Sequence, residues 1–221
     1  MITHASEAPA LRDSAARADG VVLRAASRAD APAIHRLIAD NLEAGHLLPR
    51  SISDVEEHAS RFVVAQAGDA VVGCAELAPL SDAVAEVRSL VVDQPFRGRQ
   101  IGGELVARVA AAGAARHFAT LCAFTHEPAH FVRLGFTIVP HIWVPEKIAH
   151  DCTGCALFRR CGQYAVTLPL RAGARVRPER PAAVILGRGV AARRSIERLQ
   201  LRPVPSCADP RHDAATEAVP A

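Results

Sequence analysis

The chain of 221 residues has little lysine, few aromatic side chains and no long apolar run. Lys147 is its only lysine, and the net charge of +3 is too small to indicate a nucleic-acid-binding protein. The lack of any stretch of about 18 apolar residues argues against a membrane span. Residues 1–20 also lack the apolar core of a secretory signal. We therefore expect a cytoplasmic protein whose partners include neither nucleic acid nor membrane.

Apolar residues are nevertheless plentiful, at 50% of the sequence, while aromatic residues make up only 4%. A core must then be built from alanine, valine, leucine and isoleucine. The six cysteines are too few for a disulfide framework in a chain of this length. These features predict one well-buried domain with extensions.

Apolar periodicity divides the middle of the chain into strands and helices. Gly68 and Asp69 mark a hairpin turn, Gly45 ends the first helix, and Ser53 with Glu56 forms a capping box for the second. The predicted strands are residues 21–26, 62–66, 70–77, 83–92, 118–124, 135–139 and 164–170. The predicted helices are residues 31–42, a short helix from residue 53, residues 102–115 and residues 127–134.

The ends of the chain differ from this middle part. Residues 1–20 are rich in alanine and mixed in charge, and we interpret them as a flexible leader. Residues 171–221 contain ten arginines and six prolines, a composition that rarely buries enough surface to fold alone. The sequence therefore predicts a folded domain over residues 21–170 and a largely disordered extension over residues 171–221.

The most informative stretch is residues 86–105, EVRSLVVDQPFRGRQIGGEL. It predicts a buried strand, a loop of arginine and glycine, and the first turn of a helix. Such a helix start presents unpaired N–H groups and the positive end of the helix dipole, which together favour phosphate. The residues expected to hold the phosphates are Arg97, Gly98, Arg99, Gln100, Ile101, Gly102 and Gly103.

This loop resembles the acetyl-CoA site of the GNAT superfamily of N-acetyltransferases, whose motif is Gln/Arg-x-x-Gly-x-Gly/Ala. Arg97 fills its first position and Gly102 its last, whereas Gln100 stands in place of the first glycine. The order of elements is also that of the family. The resemblance implies an α/β (α+β) fold with a twisted, mixed and mostly antiparallel sheet of six to seven strands, flanked by about four helices. It further implies acetyl-CoA as co-substrate, contacted by the backbone of Leu90, Val91 and Val92, and direct transfer without an acyl-enzyme.

Three segments sharpen the resemblance: residues 47–51 (LLPRS), 86–92 (EVRSLVV) and 145–148 (PEKI). Together they are similar to the short, GNAT-only type of N-acetylglutamate synthase, over residues 21–170. This implies acetylation of the α-amine of an amino acid, L-glutamate above all, at the first step of arginine biosynthesis. The sequence is also compatible with a homodimer.

An anionic substrate is also indicated by the residues themselves. In an extended strand, Glu86, Arg88 and Leu90 face one side and Val87, Ser89 and Val91 the other. Arginine suits carboxylates because its planar fork donates two parallel hydrogen bonds. We expect the substrate carboxylates to meet the cations Arg50, Arg88 and Lys147. Each of these cations has a structural alternative, as a solvated or internally paired side chain.

The reaction needs a group that accepts the proton of the attacking amine, and Glu86 acting through water is the candidate. Many GNAT enzymes place a tyrosine four residues before a Gly-Phe pair as general acid for the leaving thiolate. In this chain Phe131 occupies that position, so the role is vacant.

A separate cysteine cluster follows Lys147. Cys152 and Cys155 have the two-residue gap of zinc knuckles, and His150 and Cys161 would complete four ligands. The alternatives are three reduced thiols in a loop that closes the substrate site, or a redox-sensitive pair.

Three functional alternatives also stay open. The acceptor could be another small amine, the domain could sense acetyl-CoA without turnover, or the chain could be a metal-dependent interaction protein.

Overall fold

A computed structural model describes residues 20–42, 47–156, 158–171 and 173. Nearly all of the predicted leader and of the predicted C-terminal extension, and the predicted helix end at Gly45, lie outside these residues. Within them, no helix has the length and apolar character that a membrane crossing requires.

Seven strands form one open sheet in the order β1-β2-β3-β4-β5-β7-β6. Only β4 and β5 are parallel, and all other neighbours are antiparallel. This confirms the predicted fold class. The strands are β1 (Val21–Ala25), β2 (Phe62–Ala67), β3 (Ala70–Pro79), β4 (Val84–Val92), β5 (Thr120–Thr125), β6 (Thr137–Val139) and β7 (Tyr164–Pro169).

The helices follow the predicted order, with one addition. They are α1 (Ala31–Asp40), α2 (Ile52–Glu57), α3 (Ile101–Ala115), α4 (Pro128–Arg133) and the short α5 (Pro145–Lys147), which continues into a π-helical turn, Ile148–Cys152. The sequence did not predict α5 or this turn. The predicted cap of α2 was also wrong, because Ser51 and not Ser53 accepts the N–H of Asp54, at 3.2 Å.

The two faces of the sheet carry separate cores. On one face α3 and α4 cover a large apolar cluster that includes Leu77, Val87, Leu105, Leu121 and Phe131. On the other face α1 and α2 cover a smaller one built on Ile34, Ile38, Val55, Phe62 and Val64. The charged residues of β3 and β4 stand out on the second face, because the side chains packed there are otherwise apolar.

Strand β4 contains a bulge at Ser89, where the register with β3 shifts and φ is +51°. The bulge reverses the alternation of side chains beyond it. Leu90 therefore packs on the α3 side with Val87, and Val91 packs on the α1 side. The predicted strict alternation, with Leu90 beside Arg88 and Val91 beside Val87, was wrong for this reason.

Strands β4 and β5 separate soon after they meet. Their parallel pairing covers only Val84 to Glu86, opposite Thr120 to Cys122, although β4 continues to Val92 and β5 to Thr125. Within the described sheet, residues 87–92 of β4 therefore have no strand on their β5 side. An extended ligand would therefore meet no competing strand on that side of β4.

Candidate active site

The start of α3 lies directly beyond the open edge of β4. The first intrahelical bond is donated by the Glu104 N–H to the Gln100 carbonyl, at 3.1 Å. The amides of Ile101, Gly102 and Gly103 precede that bond and so have no acceptor within the helix. A helix of 15 residues adds the positive end of its dipole, and this is the arrangement expected for a phosphate site.

Two residues of the loop before α3 have a left-handed backbone conformation. Gly98 has φ +78° and Gln100, the N-cap residue, has φ +64°. A glycine adopts this conformation without cost, whereas a residue with a side chain loses about 1–2 kcal/mol. The left-handed backbone at position 100 explains why the motif has a glycine there. Gln100 adopts the same conformation despite its side chain.

The first turn of α3 rests on β4 and α4. A Cβ placed on Gly102 would lie 3.7 Å from Val92 Cγ2 and 3.7 Å from the His130 ring, and one on Gly103 would lie 3.3 Å from Leu134 Cδ2. His130 Nε2 is buried, and the described residues offer it no hydrogen-bond partner. Burial, with a smaller contribution from Arg133, lowers the pKa of His130.

The two arginines of the loop are held by the protein. Arg97 donates from Nε to the Val92 carbonyl at 2.9 Å and from its guanidinium to Asn41 Oδ1 at 2.7 Å. Arg99 lies over the Phe96 ring, with 5.0 Å between its Cζ and the ring centroid, and bonds the Pro95 carbonyl. Both side chains therefore stand at the rim of the loop and fix its path.

Glu86, Arg88 and Lys147 meet in one network with Asp151, which the sequence did not single out. Lys147 Nζ lies 2.6 Å from Glu86 Oε1 and 2.7 Å from Asp151 Oδ2. Arg88 reaches Glu86 Oε2 at 2.8 Å and Asp151 Oδ2 at 2.5 Å. Two cations and two carboxylates thus form a closed ring, in which Glu86 is 3% and Lys147 8% exposed.

Arg50 belongs to a second group on the same face of the sheet. Its guanidinium bonds Glu76 at 2.7 Å and the Ser89 hydroxyl at 3.2 Å, and it also pairs with Asp54. Glu76 is 1% exposed. It was overlooked in the sequence, although it is the only charged residue of β3.

The two groups adjoin each other across β3 and β4. Glu76 is the register partner of Arg88, and Glu86 stands two residues before Arg88 on β4. Directly opposed residues share a face of a sheet. The three cations predicted to bind carboxylates therefore lie on one face of the sheet, where Asp54 of α2 pairs with Arg50 and Asp151 of the π-helical turn pairs with Arg88 and Lys147. We call this group of charged residues the ion-pair cleft.

The pKa values of the cleft reflect these ion pairs. Burial alone would lower the pKa values of Arg50 and Arg88, but their carboxylate partners raise both. The hydrogen bond from Arg50 lowers the pKa of Asp54. Burial would raise the pKa of Asp151, but hydrogen bonds from Lys147 and His150 and the charge of Arg88 bring it down to about 2.

The structure does not support the predicted zinc site at His150, Cys152, Cys155 and Cys161. No group of three or more histidine, cysteine or acidic side chains is placed to hold a metal within the described part of the chain. His150 Nδ1 is instead 2.8 Å from Asp151, and Cys161 Sγ faces Gln163 at 3.9 Å. The thiols are free, and burial raises the pKa of Cys152.

Phe131, in the position of the family's tyrosine, is 6% exposed and packs edge-on against Phe136. It is a core residue that cannot donate a proton. Position 131 therefore supplies no general acid for the leaving thiolate.

Comparisons with known proteins identify the family of this chain. The Acetyltransferase (GNAT) family model matches residues 31–136, from the first residue of α1 to the residue before β6. An uncharacterized N-acetyltransferase of Chlorobaculum tepidum is 32% identical over 148 residues, which are 67% of this chain and 96% of that protein. An amino-acid acetyltransferase of Mycobacterium tuberculosis is 32% identical over 119 residues, which are 52% of this chain and 68% of that protein.

A solved structure gives the same result. The N-acetylglutamate synthase of Neisseria gonorrhoeae, complexed with coenzyme A and N-acetyl-glutamate, has a TM-score of 0.61 at 25% identity. The alignment covers 68% of this chain and 35% of the synthase, so the similarity concerns about a third of that protein. The chain belongs to the GNAT family of acetyltransferases.

Proposed function

We propose that this enzyme transfers the acetyl group of acetyl-CoA to the α-amine of an amino acid, with L-glutamate as the acceptor that suits the cleft best. The observation that carries the proposal is the meeting of Arg50, Arg88 and Lys147 on one face of the sheet, beside the open edge of β4. The resemblance to N-acetylglutamate synthase implies that this reaction is the first step of arginine biosynthesis.

The α3 start and the open edge of β4 suit acetyl-CoA. The free amides of Ile101, Gly102 and Gly103 would hold the diphosphate. An extended arm running back from there along residues 87–92 would find no competing strand on the β5 side and would deliver the thioester next to the ion-pair cleft. Backbone N–H groups of this strand would then stabilise the negative charge that develops on the thioester oxygen.

The cleft suits a dicarboxylic acceptor. Two guanidinium groups and one ammonium offer enough donors for two carboxylates, and arginine binds carboxylates in bidentate fashion. The Mycobacterium tuberculosis relative is named an amino-acid acetyltransferase, and the Neisseria synthase was solved with N-acetyl-glutamate. The first name supports an amino acid as the acceptor, and the second supports an acidic one as the first acceptor to test.

Glu86 is the candidate for accepting the proton of the attacking amine through a water molecule. The nitrogen forms its bond to the acetyl carbon, the carbon–sulfur bond breaks, and coenzyme A leaves as thiolate. Because Phe131 cannot donate a proton, solvent is expected to supply the proton to that thiolate. The engagement of both Glu86 oxygens by Lys147 and Arg88 gives this residue a second role in orienting the two cations.

The direct test is acceptor-dependent release of free thiol from acetyl-CoA across the twenty amino acids, with the acetylated product identified by mass spectrometry. We expect release with L-glutamate. Coenzyme A binding without release for any amine would instead favour a sensing module. Release with a neutral amine and none with glutamate would contradict the acceptor assignment.

A further inference from the structure

The ion-pair cleft already contains more negative than positive charge. Its cations are Arg50, Arg88 and Lys147, and its carboxylates are those of Asp54, Glu76, Glu86 and Asp151. Every cation proposed to bind the acceptor is thus paired within the protein. A dicarboxylate entering this cleft would add two further negative groups, which is unfavourable in a partly buried site unless an internal carboxylate leaves.

The four carboxylates differ in how easily they can leave. Glu76 and Glu86 are on central strands and are 1% and 3% exposed. The Asp54 side chain is 36% exposed, but it is on α2, where the helix is anchored by the buried Val55 and capped by Ser51. Asp151 is on the π-helical turn Ile148–Cys152, which has no buried residue, and its side chain is 28% exposed.

Asp151 also has the contacts that an acceptor carboxylate would need. A single oxygen, Oδ2, lies 2.5 Å from the Arg88 guanidinium and 2.7 Å from the Lys147 ammonium. Its other oxygen faces the exposed His150. Turns of π-helix are rare and occur often at functional sites.

We propose that Asp151 is a specificity-determining residue whose carboxylate occupies, in the free enzyme, the place that an acceptor carboxylate takes on Arg88 and Lys147. Binding of the acceptor then exchanges one carboxylate for another and releases the π-helical turn towards solvent. A ligand without a carboxylate at this position cannot make the exchange, so the cleft stays closed to it. This inference rests on the proposed function, since it concerns the same cleft.

Such an internal competitor lowers the apparent affinity for the acceptor by the fraction of molecules in which the site is open. Replacing Asp151 with asparagine removes the charge but keeps the shape, so we expect a KM for glutamate about tenfold lower, with kcat changed less than KM. Asp151→Glu retains the competitor and should show no such gain. Glu146→Gln is the matched control, because it removes one charge from the residue next to Lys147, and Glu146 itself makes no ion pair among the described residues.

Equilibrium binding separates this inference from the proposed function. Glutarate, a dicarboxylate without an amine, is titrated by calorimetry into the full-length enzyme saturated with coenzyme A. Binding about tenfold tighter to Asp151→Asn than to wild type, with Glu146→Gln unchanged, supports the exchange even if no amino acid is acetylated. Equal or weaker binding by Asp151→Asn overturns it, whether or not wild type turns over glutamate, because Asp151 would then only hold the two cations in position.

Discussion

The Lys147 ammonium lies 2.6 Å from the Glu86 carboxylate, although 61 residues separate the two in sequence. This pair joins β4 to the segment after β6. It places Lys147, the only lysine of the chain, beside Arg88 of β4. Its burial means that each charge depends on the other, since an ion buried without a partner is costly.

Lys147→Met should therefore cost both stability and acceptor binding. Glu86 would keep only Arg88 as a partner, so we expect a loss of about 2–3 kcal/mol in the free energy of unfolding, measured by urea denaturation. The double variant Glu86→Gln, Lys147→Met removes both charges and should recover at least half of that loss. Unchanged stability of the single variant would mean that the pair is not buried as described.

Gln100→Gly should stabilise the enzyme, because glycine adopts a φ of +64° without steric cost. We expect a gain of about 1 kcal/mol, which corresponds to roughly 2–4 °C in Tm for a domain of this size. The affinity for coenzyme A should stay equal or rise, since a side chain is removed next to the proposed diphosphate site. Gln100→Val is the opposing control and should lower Tm, and a stabilising effect of valine would contradict the left-handed backbone.

Gly102→Ala tests the phosphate site separately from folding. A Cβ at this position meets only ordinary contacts of 3.7 Å, so Tm should change little. The Cβ would face Val92 and His130, and the family motif accepts alanine at this position, so coenzyme A should also bind with about the wild-type affinity. A large loss of coenzyme A affinity at an unchanged Tm would contradict this orientation, because the methyl group would then stand between the helix amides and the diphosphate.

The low pKa of Asp151 predicts part of the acid sensitivity of the enzyme. A carboxyl whose pKa is lowered in the folded state stabilises the fold at pH values above its unfolded pKa of about 4. This contribution is lost as the pH falls towards its folded pKa of about 2. Thermal denaturation between pH 5 and pH 2 should therefore show a shallower decline in Tm for Asp151→Asn than for wild type. Parallel declines would indicate that Asp151 is not held by Lys147 in solution.

Much of the fold could be predicted because its signals are local. Apolar periodicity located the seven strands and α1 to α4, and the glycine and arginine pattern of residues 97–103 located the helix start. The bulge at Ser89 escaped, since strict alternation offers no sign of a residue with φ of +51°. Its effect was to move Leu90 and Val91 to the faces opposite to those predicted.

Only some of the residues of the ion-pair cleft could be predicted from the sequence. Its cations were visible as isolated basic residues near the expected active site. Their partners Asp54, Glu76 and Asp151 were not, because an ion pair depends on strand register and on the path of loops that are distant in sequence. Glu76 had one local signal, as the single charge in an apolar strand. The cysteine spacing after Lys147 pointed to a metal that the geometry of those side chains does not support.

The most direct test of the account is a comparison of L-glutamate with L-norvaline, which has the same α-amino acid group but lacks the side-chain carboxylate. Thiol release from acetyl-CoA is measured for both at saturating co-substrate. The cleft of Arg50, Arg88 and Lys147 predicts a kcat/KM at least about a hundredfold higher for glutamate, since norvaline cannot make the charged hydrogen bonds of a side-chain carboxylate, which contribute about 2–3 kcal/mol. Equal kcat/KM for the two acceptors would show that these cations serve the fold and not the acceptor.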